Sequence, residues 1–394
     1  MPSRENVFLA APARTPIGKL NGALSSFTAV DLGVAVAREV IRRAGIKPDA
    51  VDLSLFGNAR QAGNGPNIAR QIGVGAGVPE TKPAYTVNMA CASGLQAILS
   101  AANEIAAGNA DLIVAGGTES MTNVPYLLPK MRQGYRLGHA EVIDANFRDG
   151  FMCPLCKELM GETAETLAEK YHISREEQDR YALLSQERCE KAEASARFKS
   201  EMVSLIDPKT GAEISADEHP RKGVTLEQLA KLPPVFKKDG TVHAGNSSGV
   251  TDGAAALIVV SERGVKQLGI KPMARIIGHH ASGVNPAEMG IGPVPSVRAL
   301  LQKTGTSLEA IGLIELNEAF AAQVLACQKE LHFPLERLNV NGGAIALGHP
   351  IGCSGARIVV SLLHEMERRK VEKGLATLCV SGGLGVSLLV EKTG

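Results

Sequence analysis

Cys91 is the first residue of this chain whose placement suggests chemistry. The run Val87-Asn88-Met89-Ala90-Cys91-Ala92-Ser93-Gly94-Leu95-Gln96-Ala97-Ile98 sets it between an extended stretch, Ala84 to Met89, and a helix-forming one. Ser93, Leu95, Ala97, Ile98, Ala101 and Ala102 leave little bulk near the start of that helix. A thiol at a helix N-terminus meets free N–H groups and the positive end of the dipole. Such a setting is expected to draw its pKa down from about 8.5 and favour the thiolate. A structural cysteine is the plainer reading of any single Cys. The far C-terminal part of the chain argues against it here.

Two glycine-rich stretches lie there. One is Asn341-Gly342-Gly343-Ala344-Ile345-Ala346-Leu347-Gly348-His349-Pro350-Ile351-Gly352-Cys353-Ser354-Gly355, and the other is Cys379-Val380-Ser381-Gly382-Gly383-Leu384-Gly385. Glycines in this density are expected to let backbone approach a ligand and present N–H groups to it. A nucleophilic thiol needs a base, and an anionic intermediate needs donors. Cys91, His349, Cys379 and these N–H groups make up that set.

The Cys91 run, the tetrapeptide Asn317-Glu318-Ala319-Phe320, the Gly348-His349-Pro350 segment and the Cys379 segment resemble the four signature blocks of the thiolase family, in order and spacing. The resemblance covers essentially the whole chain. It implies reversible Claisen chemistry on coenzyme A thioesters, two acetyl-CoA giving acetoacetyl-CoA and CoA through an acetyl-cysteine. By the same resemblance Cys91 is the nucleophile and His349 its proton shuttle. Cys379 is the base at the α-carbon, and Asn317 holds a water at the enolate oxygen. The backbone N–H groups of Cys91 and Ser381 form an oxyanion hole. Arg221, Ser248, Met160, Met289, Ala319 and Phe320 fall where substrate and CoA are bound. The substrates are CoA thioesters, with no cofactor and no metal, and the assembly implied is a homotetramer, with Tyr126 to Leu137 as its assembly loop. A longer-chain 3-ketoacyl-CoA thiolase would keep every catalytic residue and remains the alternative. A ketosynthase-type enzyme would carry a second His where Cys379 stands, and a silent binding subunit would have lost one of the four catalytic residues.

Two departures from the family pattern bear on the site. Ser381-Gly382-Gly383 replaces a run of three glycines, so the Ser381 donor survives only if its φ suits a residue with a Cβ. Leu159-Met160-Gly161 replaces the His-Met-Gly of acetoacetyl-specific members, so a contact on the pantetheine side is expected to be missing.

Positioning these residues requires an α/β scaffold. Val7 to Ala10, Val51 to Phe56, Ala84 to Met89 and Asp111 to Ala115 read as strands, and Asp31 to Ala44 as a helix stopped by Gly45. The pattern returns late in the chain. Ala37 to Gly45 lies over Val297 to Gly305 without a gap, and Ala50, Leu53 and Ala59 fall on Ala310, Leu313 and Ala319. Ser93-Gly94 falls near Ser354-Gly355, and Gly116-Gly117 near Gly382-Gly383. A repeat of whole supersecondary units implies two similar packed halves. With the resemblance, this predicts two α/β halves in a five-layer α-β-α-β-α core carrying an inserted loop domain. The division expected is 1–118 plus 250–272 for the first half, 119–249 for an insertion covering CoA, and 273–394 for the second half. Within the insertion, Glu162 to Lys199 reads as two helices broken at His172-Ile173-Ser174, with Ser174 and Glu177 as a capping box. Cys153-Pro154-Leu155-Cys156 lacks the two further ligands that zinc needs and reads as ordinary loop cysteines, with a redox pair as the alternative. His279 and His280 show no metal spacing and read as structural or surface residues.

Composition sets the outer limits. The chain has 394 residues, 44% apolar, with a net charge of +1, which indicates neither disorder nor a nucleic-acid surface. No apolar run approaches the roughly 18 residues of a membrane span. Val7 to Ala13 reads as a core strand rather than a signal segment, and Glu391-Lys392-Thr393-Gly394 is not a retention or peroxisomal tail. Seven cysteines, an odd number, fit a reducing compartment. The expectation is a soluble cytoplasmic enzyme with no membrane or nucleic-acid partner.

Overall fold

The first helix illustrates how local sequence sets the elements. The Thr28 hydroxyl accepts from the Asp31 N–H, and the Asp31 carboxylate accepts from the Thr28 N–H, a reciprocal cap that starts α1 (Ala29–Arg43). Gly45, at φ +68°, ends it. The computed structural model describes residues 5–393. Residues 1–4 and 394, the outer ends of the two expected halves and the last residue of the C-terminal tail, lie outside the described residues.

The first half runs β1 (Val7–Arg14), α1, β2 (Leu53–Gly57), α2 (Ile68–Gly75), β3 (Ala84–Val87), α3 (Ser93–Ala106) and β4 (Leu112–Ser120). After a long excursion containing α4 (Met160–Lys170) and α5 (Arg175–Ala194), it closes with β5 (Thr251–Ser261). The second half runs β6 (Ala274–Gly283), α6 (Pro293–Thr304), β7 (Leu313–Leu316), α7 (Ala321–Leu331), α8 (Ile351–Arg369), β8 (Lys373–Val380) and β9 (Leu384–Lys392). In space the first half orders its strands β1-β5-β4-β2-β3, with two antiparallel pairings followed by two parallel ones. The second half orders β6-β9-β8-β7 with two antiparallel pairings and then a parallel one. The repeat is therefore one of topology: β1, β5, β4 and β2 correspond to β6, β9, β8 and β7.

Strand periodicity sorts the side chains into layers. Leu53, Leu55, Ile113, Ala115, Leu257 and Val259 face one way and pack with Leu95, Ile98 and Leu99 of α3 and with Ile358, Val359 and Leu362 of α8. Ala376, Leu378, Val386 and Leu388 reach the same two helices from the second sheet. The alternate residues Phe56, Leu112, Val114, Ile258 and Val260 turn outward onto α1 and α2. Leu375 and Leu389 turn outward toward residues of α6 and α7. The order is thus helix, sheet, helix, sheet, helix. The two sheets are also joined edge to edge through two residue pairs, Phe8 with Arg275 and Leu9 with Ala274, which sequence periodicity does not show.

Several expectations need adjustment. β4 runs on to Ser120, so the boundary drawn after residue 118 cuts a strand. Gly116 and Gly117 stay inside β4, whereas Gly382 and Gly383 form the turn after β8 at φ +86° and +85°. The insertion breaks where expected, with the Ser174–Glu177 box opening α5. His279 and His280 lie within β6, paired with Leu388 and Ser387. Among the described residues no helix is long and apolar enough to cross a membrane.

The glycines near Cys91 and His349 serve helix packing more than ligand approach, contrary to the sequence expectation. A Cβ on Gly94 would stand 2.8 Å from the Gly352 carbonyl oxygen and 2.9 Å from the Ala356 nitrogen. One on Gly355 would stand 2.5 Å from the Leu95 nitrogen. The first turns of α3 and α8 therefore cross backbone to backbone. At an ordinary helix position Gly→Ala stabilises by about 1 kcal/mol. Here the clash should reverse the sign: Gly94→Ala is expected to lower the unfolding free energy by about 1–3 kcal/mol. Urea denaturation reads this as a lower midpoint at unchanged slope, and an equal or higher midpoint would refute the close crossing.

Candidate active site

Cys91 sits in a one-turn 3₁₀ segment, Ala90–Ala92, just ahead of α3. The turn is strained, since Ala90 adopts φ +45°, a region costing a non-glycine residue roughly 1–2 kcal/mol. Flanking side chains hold it. Asn88 Oδ1 accepts from the Ala90 N–H at 3.0 Å. Ser93 Oγ accepts from the Met89 N–H at 2.9 Å and donates to the Ala90 carbonyl at 2.6 Å. The sequence placed the turn correctly but not its electrostatics. Burial pushes the Cys91 thiol above its ordinary value, with Glu119 adding to the effect. The Ser381 N–H, the Arg60 charge and the N–H of Cys91 itself pull the other way without cancelling it. Desolvation outweighs the helix start, so the resting group is the thiol.

His349 enters from the second half. Gly348, at φ +97°, leads into it, and its backbone N–H donates to the Gly249 carbonyl at 3.0 Å. Its Nδ1 lies 2.5 Å from Ser354 Oγ, whose hydroxyl donates to the Pro350 carbonyl at 3.1 Å. With that hydroxyl proton committed, Ser354 accepts the Nδ1 proton, and the tautomer left has its lone pair on Nε2. Nε2 is buried with no protein partner. Burial, reinforced by the positive charges of Arg357 and Arg60, pushes the His349 pKa down to about 3. The ring is a neutral base.

Cys379 ends the pair of strands facing this point, in β8 opposite Gly385 of β9. Burial, then the neighbouring Cys91, raises its pKa well above the ordinary thiol value. Ser381 does not share the positive φ of Gly382 and Gly383, so a Cβ is tolerated and its N–H reaches Cys91.

Cys91, His349, Cys379 and Ser381 line one cavity of about 210 Å³. Met160, Met289, Ser248, Ala319 and Phe320 line it too, as the sequence predicted. Asn317 stands behind the lining. It is fully buried, its backbone N–H donates to Thr377 beside Cys379, and both polar atoms of its side chain lack a protein partner. A buried primary amide with nothing to bond is costly unless water or substrate meets it. Arg221 is not brought into the cavity. It is exposed on a loop of the insertion, its N–H donating to Gln186 Oε1. No group of three metal-ligating side chains occurs among the described residues.

Sequence reasoning missed four supports. Ser354 was seen only as a repeat match. Arg60 lines the cavity, donates to the Asp149 carbonyl and lies over the Phe151 ring. Buried Glu119 accepts from Asn58 Nδ2 and from the N–H groups of Ala59, Arg60 and Gly352. Buried Glu318 accepts from Tyr181, Ser185, Asn339 and the Ile345 N–H. Arg60 and Glu119 sit in no motif, Glu318 and Ser354 sit in stretches singled out for other residues, and the partners of Arg60, Glu119 and Glu318 come from distant segments.

Comparison with known proteins decides the family. Residues 7–263 match the model of the thiolase N-terminal domain, and residues 270–392 that of the thiolase C-terminal domain. The chain belongs to the thiolase family. It is similar to an acetyl-CoA acetyltransferase of Escherichia coli, 49% identical over 98% of this chain and 99% of that protein. Among solved structures it is similar to the Bacillus anthracis acetyl-CoA acetyltransferase, with TM-score 0.97, 47% identity and 99% of each chain covered. It is also similar to human mitochondrial 3-ketoacyl-CoA thiolase in complex with CoA, with TM-score 0.96, 42% identity and 99% and 98% of the two chains covered. As a thiolase the protein is an acyltransferase, and its two family domains meet at the cavity just described.

The His349 shift predicts a pH effect on stability. The unfolded imidazole takes up a proton near pH 6.5 and the folded one only near pH 3. Between those values the unfolded state binds more protons, so stability falls as pH drops through that window. His349→Gln removes one such group. Its unfolding free energy should fall less steeply from pH 6.5 to 5, by up to about 1.4 kcal/mol per pH unit. Parallel stability curves for wild type and variant would show that His349 is not held neutral by the fold.

Proposed function

We infer that this thiolase is an acetyl-CoA C-acetyltransferase, interconverting two acetyl-CoA with acetoacetyl-CoA and CoA. The observation carrying this reading is the convergence of two thiols, half-buried Cys91 and buried Cys379, and the unpartnered Nε2 of a neutral histidine on one small cavity. The cavity is below the roughly 300–1,000 Å³ of pockets that bury drug-sized ligands. That size suits a short acyl thioester, with the rest of CoA outside.

In this mechanism Cys91 starts as a thiol, so ionisation and attack are coupled. His349 Nε2 takes the proton as the sulfur reaches the thioester carbonyl, and returns it to the departing CoA thiol. The Nδ1–H bond to Ser354 keeps the ring oriented through both transfers. The Cys91 and Ser381 N–H groups stabilise the oxyanion of each tetrahedral intermediate. A second acetyl-CoA then enters. Cys379 removes its α-proton, and the enolate carbon attacks acetyl-Cys91. A thiol of raised pKa gives a more basic thiolate once ionised, which suits abstraction from carbon. Asn317 holds a water that, with His349, stabilises the enolate oxygen. Met160, Met289, Ala319 and Phe320 enclose the acyl group, Ser248 stands on the pantetheine side, and Arg221 meets the nucleotide end outside the cavity.

The reading extends to context. The insertion between β4 and β5, which follows Ser120, acts as the cover over CoA between the two halves. The substrates are the CoA thioesters themselves, and no cofactor is needed. Tyr126, Leu128, Met131, Tyr135 and Leu137 are exposed together on one loop of the insertion. Such a patch favours self-association, and a cytoplasmic homotetramer is the assembly proposed.

Two measurements test this. In thiolysis across chain lengths, kcat/KM is expected to be highest on acetoacetyl-CoA, falling by about 10–200-fold per site-level mismatch of a methylene. Equal or higher values on six- to eight-carbon substrates would favour the longer-chain alternative, to which the apolar Leu159, Phe147 and Phe151 in the lining would then be assigned.

The second separates the cysteines. Cys91→Ala should form no acyl-enzyme. Cys379→Ala should still form acetyl-Cys91 and exchange labelled CoA with acetyl-CoA. The same variant should lose condensation and deuterium exchange at the acetyl methyl by about 10²–10⁴-fold. Blocked CoA exchange with intact methyl exchange in Cys379→Ala would reverse the two roles.

A further inference from the structure

Cys153 and Cys156 are a second pair of thiols that the acyl-transfer chemistry does not use. They flank a tight turn: the Lys157 N–H donates to the Cys153 carbonyl at 2.9 Å, and the Cys153 N–H to the Glu158 carbonyl at 2.8 Å. A bridge between Met152 and Leu159 closes the base of this loop. The two side chains meet across the turn, with the Cys156 thiol hydrogen-bonded to the Cys153 sulfur. Three N–H groups, of Leu155, Cys156 and Gly382, also point at that sulfur. Cys153 is buried and Cys156 half-buried beside exposed Leu155.

The pair touches the catalytic apparatus. Gly382 follows Ser381, whose N–H reaches Cys91. The Leu155 side chain lies 3.8 Å from where a Gly382 Cβ would stand. The same loop leads through Leu159 into Met160, both in the cavity lining.

We propose that Cys153 and Cys156 form a thiol–disulfide exchange site that reacts with low-molecular-weight disulfides and, once oxidised, slows acyl transfer through the Ser381–Gly383 loop. The geometry sets the order of events. Cys156, the accessible sulfur, attacks the small disulfide RSSR. Its proton is taken up by the departing RS⁻, so a mixed disulfide Cys156–S–SR and the first RSH form. Cys153 then loses its proton and attacks the Cys156 sulfur, expelling the second RS⁻. The two protein protons end on two RSH, so two protein thiols are oxidised and one small disulfide is reduced. Burial opposes a thiolate at Cys153, but the surrounding donors outweigh it and hold that thiol below its ordinary pKa, as suits the resolving nucleophile. In the disulfide the sulfur is a far weaker acceptor. The Gly382 N–H then loses its partner, and the neighbouring Ser381 donor shifts.

The effect on activity rests on the catalytic reading above, whereas the disulfide does not. The full-length protein is equilibrated in glutathione and glutathione-disulfide buffers, trapped with N-ethylmaleimide, digested and mapped by mass spectrometry, with thiolysis assayed in parallel. A linked Cys153–Cys156 peptide is expected, with activity lowered about tenfold and restored by dithiothreitol. That is less than the roughly 10²–10³-fold of deleting an oxyanion donor, since Ser381 is displaced and not removed. Cys156→Ser and Cys156→Ala should keep their activity in the same buffers. Free, alkylated Cys153 and Cys156 in every buffer would overturn the proposal, as would equal losses in the Cys156 variants. If Cys91→Ala retained condensation, the catalytic reading would fail while the linked peptide still formed.

Discussion

The crossing of α3 and α8 at their first turns is the constraint on which the site depends. Cys91 precedes one helix and His349 the other, and the residues meet only because Gly94 and Gly355 let backbone lie on backbone. Glu119 strengthens the junction. Its carboxylate, at the end of β4, accepts the Gly352 N–H at the start of α8 together with the Ala59 and Arg60 N–H groups. A carboxylate at a helix N-terminus is also favoured by the dipole. Burial nonetheless raises its pKa, so the carboxylate is held by its N–H donors and by Arg60. One anion thus fastens the second half to the loop that carries Arg60 into the cavity.

Within the cavity the resting groups are neutral. Burial raises Cys91 and Cys379 and lowers His349, in each case against the charged form. In the acyl-transfer mechanism proposed above, charge develops only as Cys91 attacks the thioester and is discharged when CoA leaves. The donors that meet it, the Cys91 and Ser381 N–H groups, are backbone and already oriented, so little reorganisation is required. Arg60 contributes a fixed positive charge that eases ionisation of Cys91 and disfavours protonation of His349.

Much of this could be read from the residues in order. The strands and helix of the first half, the repeat and the broken helix pair of the insertion follow from patterns within short windows, while Met160, Met289, Ser248, Ala319 and Phe320 were named on the family resemblance. What escaped depends on packing between distant segments. The glycines looked like ligand cradles because spacing alone does not say whether a bare Cα faces a substrate or another helix. Cys91 looked like a thiolate because a helix start is visible in sequence and desolvation is not. Arg60 and Glu119 carry no motif, Glu318 stood in the signature tetrapeptide only as the neighbour of Asn317, and all three acquire their roles from partners more than a helix length away, whereas Ser354 acquires its role from one turn of α8 that folds back onto His349. The C-terminal limit of β4 was misjudged because the expected strand stopped at Ala115, whereas pairing of Gly116 with Ala256 and Gly117 with Ala255 carries it on in the sheet.

The insertion is coupled to the chemistry through Glu318. This carboxylate follows Asn317 directly and accepts from Tyr181 and Ser185 of α5, from Asn339, and from the Ile345 N–H four residues before His349. Four donors around one buried carboxylate fix the relative positions of the insertion, the Asn317 strand end and the His349 loop, since leaving any of them unpaired in the interior would be costly. The same insertion supplies Leu159, Met160 and Phe236 to the acyl pocket. The insertion therefore lines part of the cavity that holds Cys91, His349 and Cys379 from the two halves, and Glu318 holds the two in register. Substitutions in the lining from the insertion can alter the pocket without disturbing the Cys91–His349 geometry, provided the α5 contacts to Glu318 are kept.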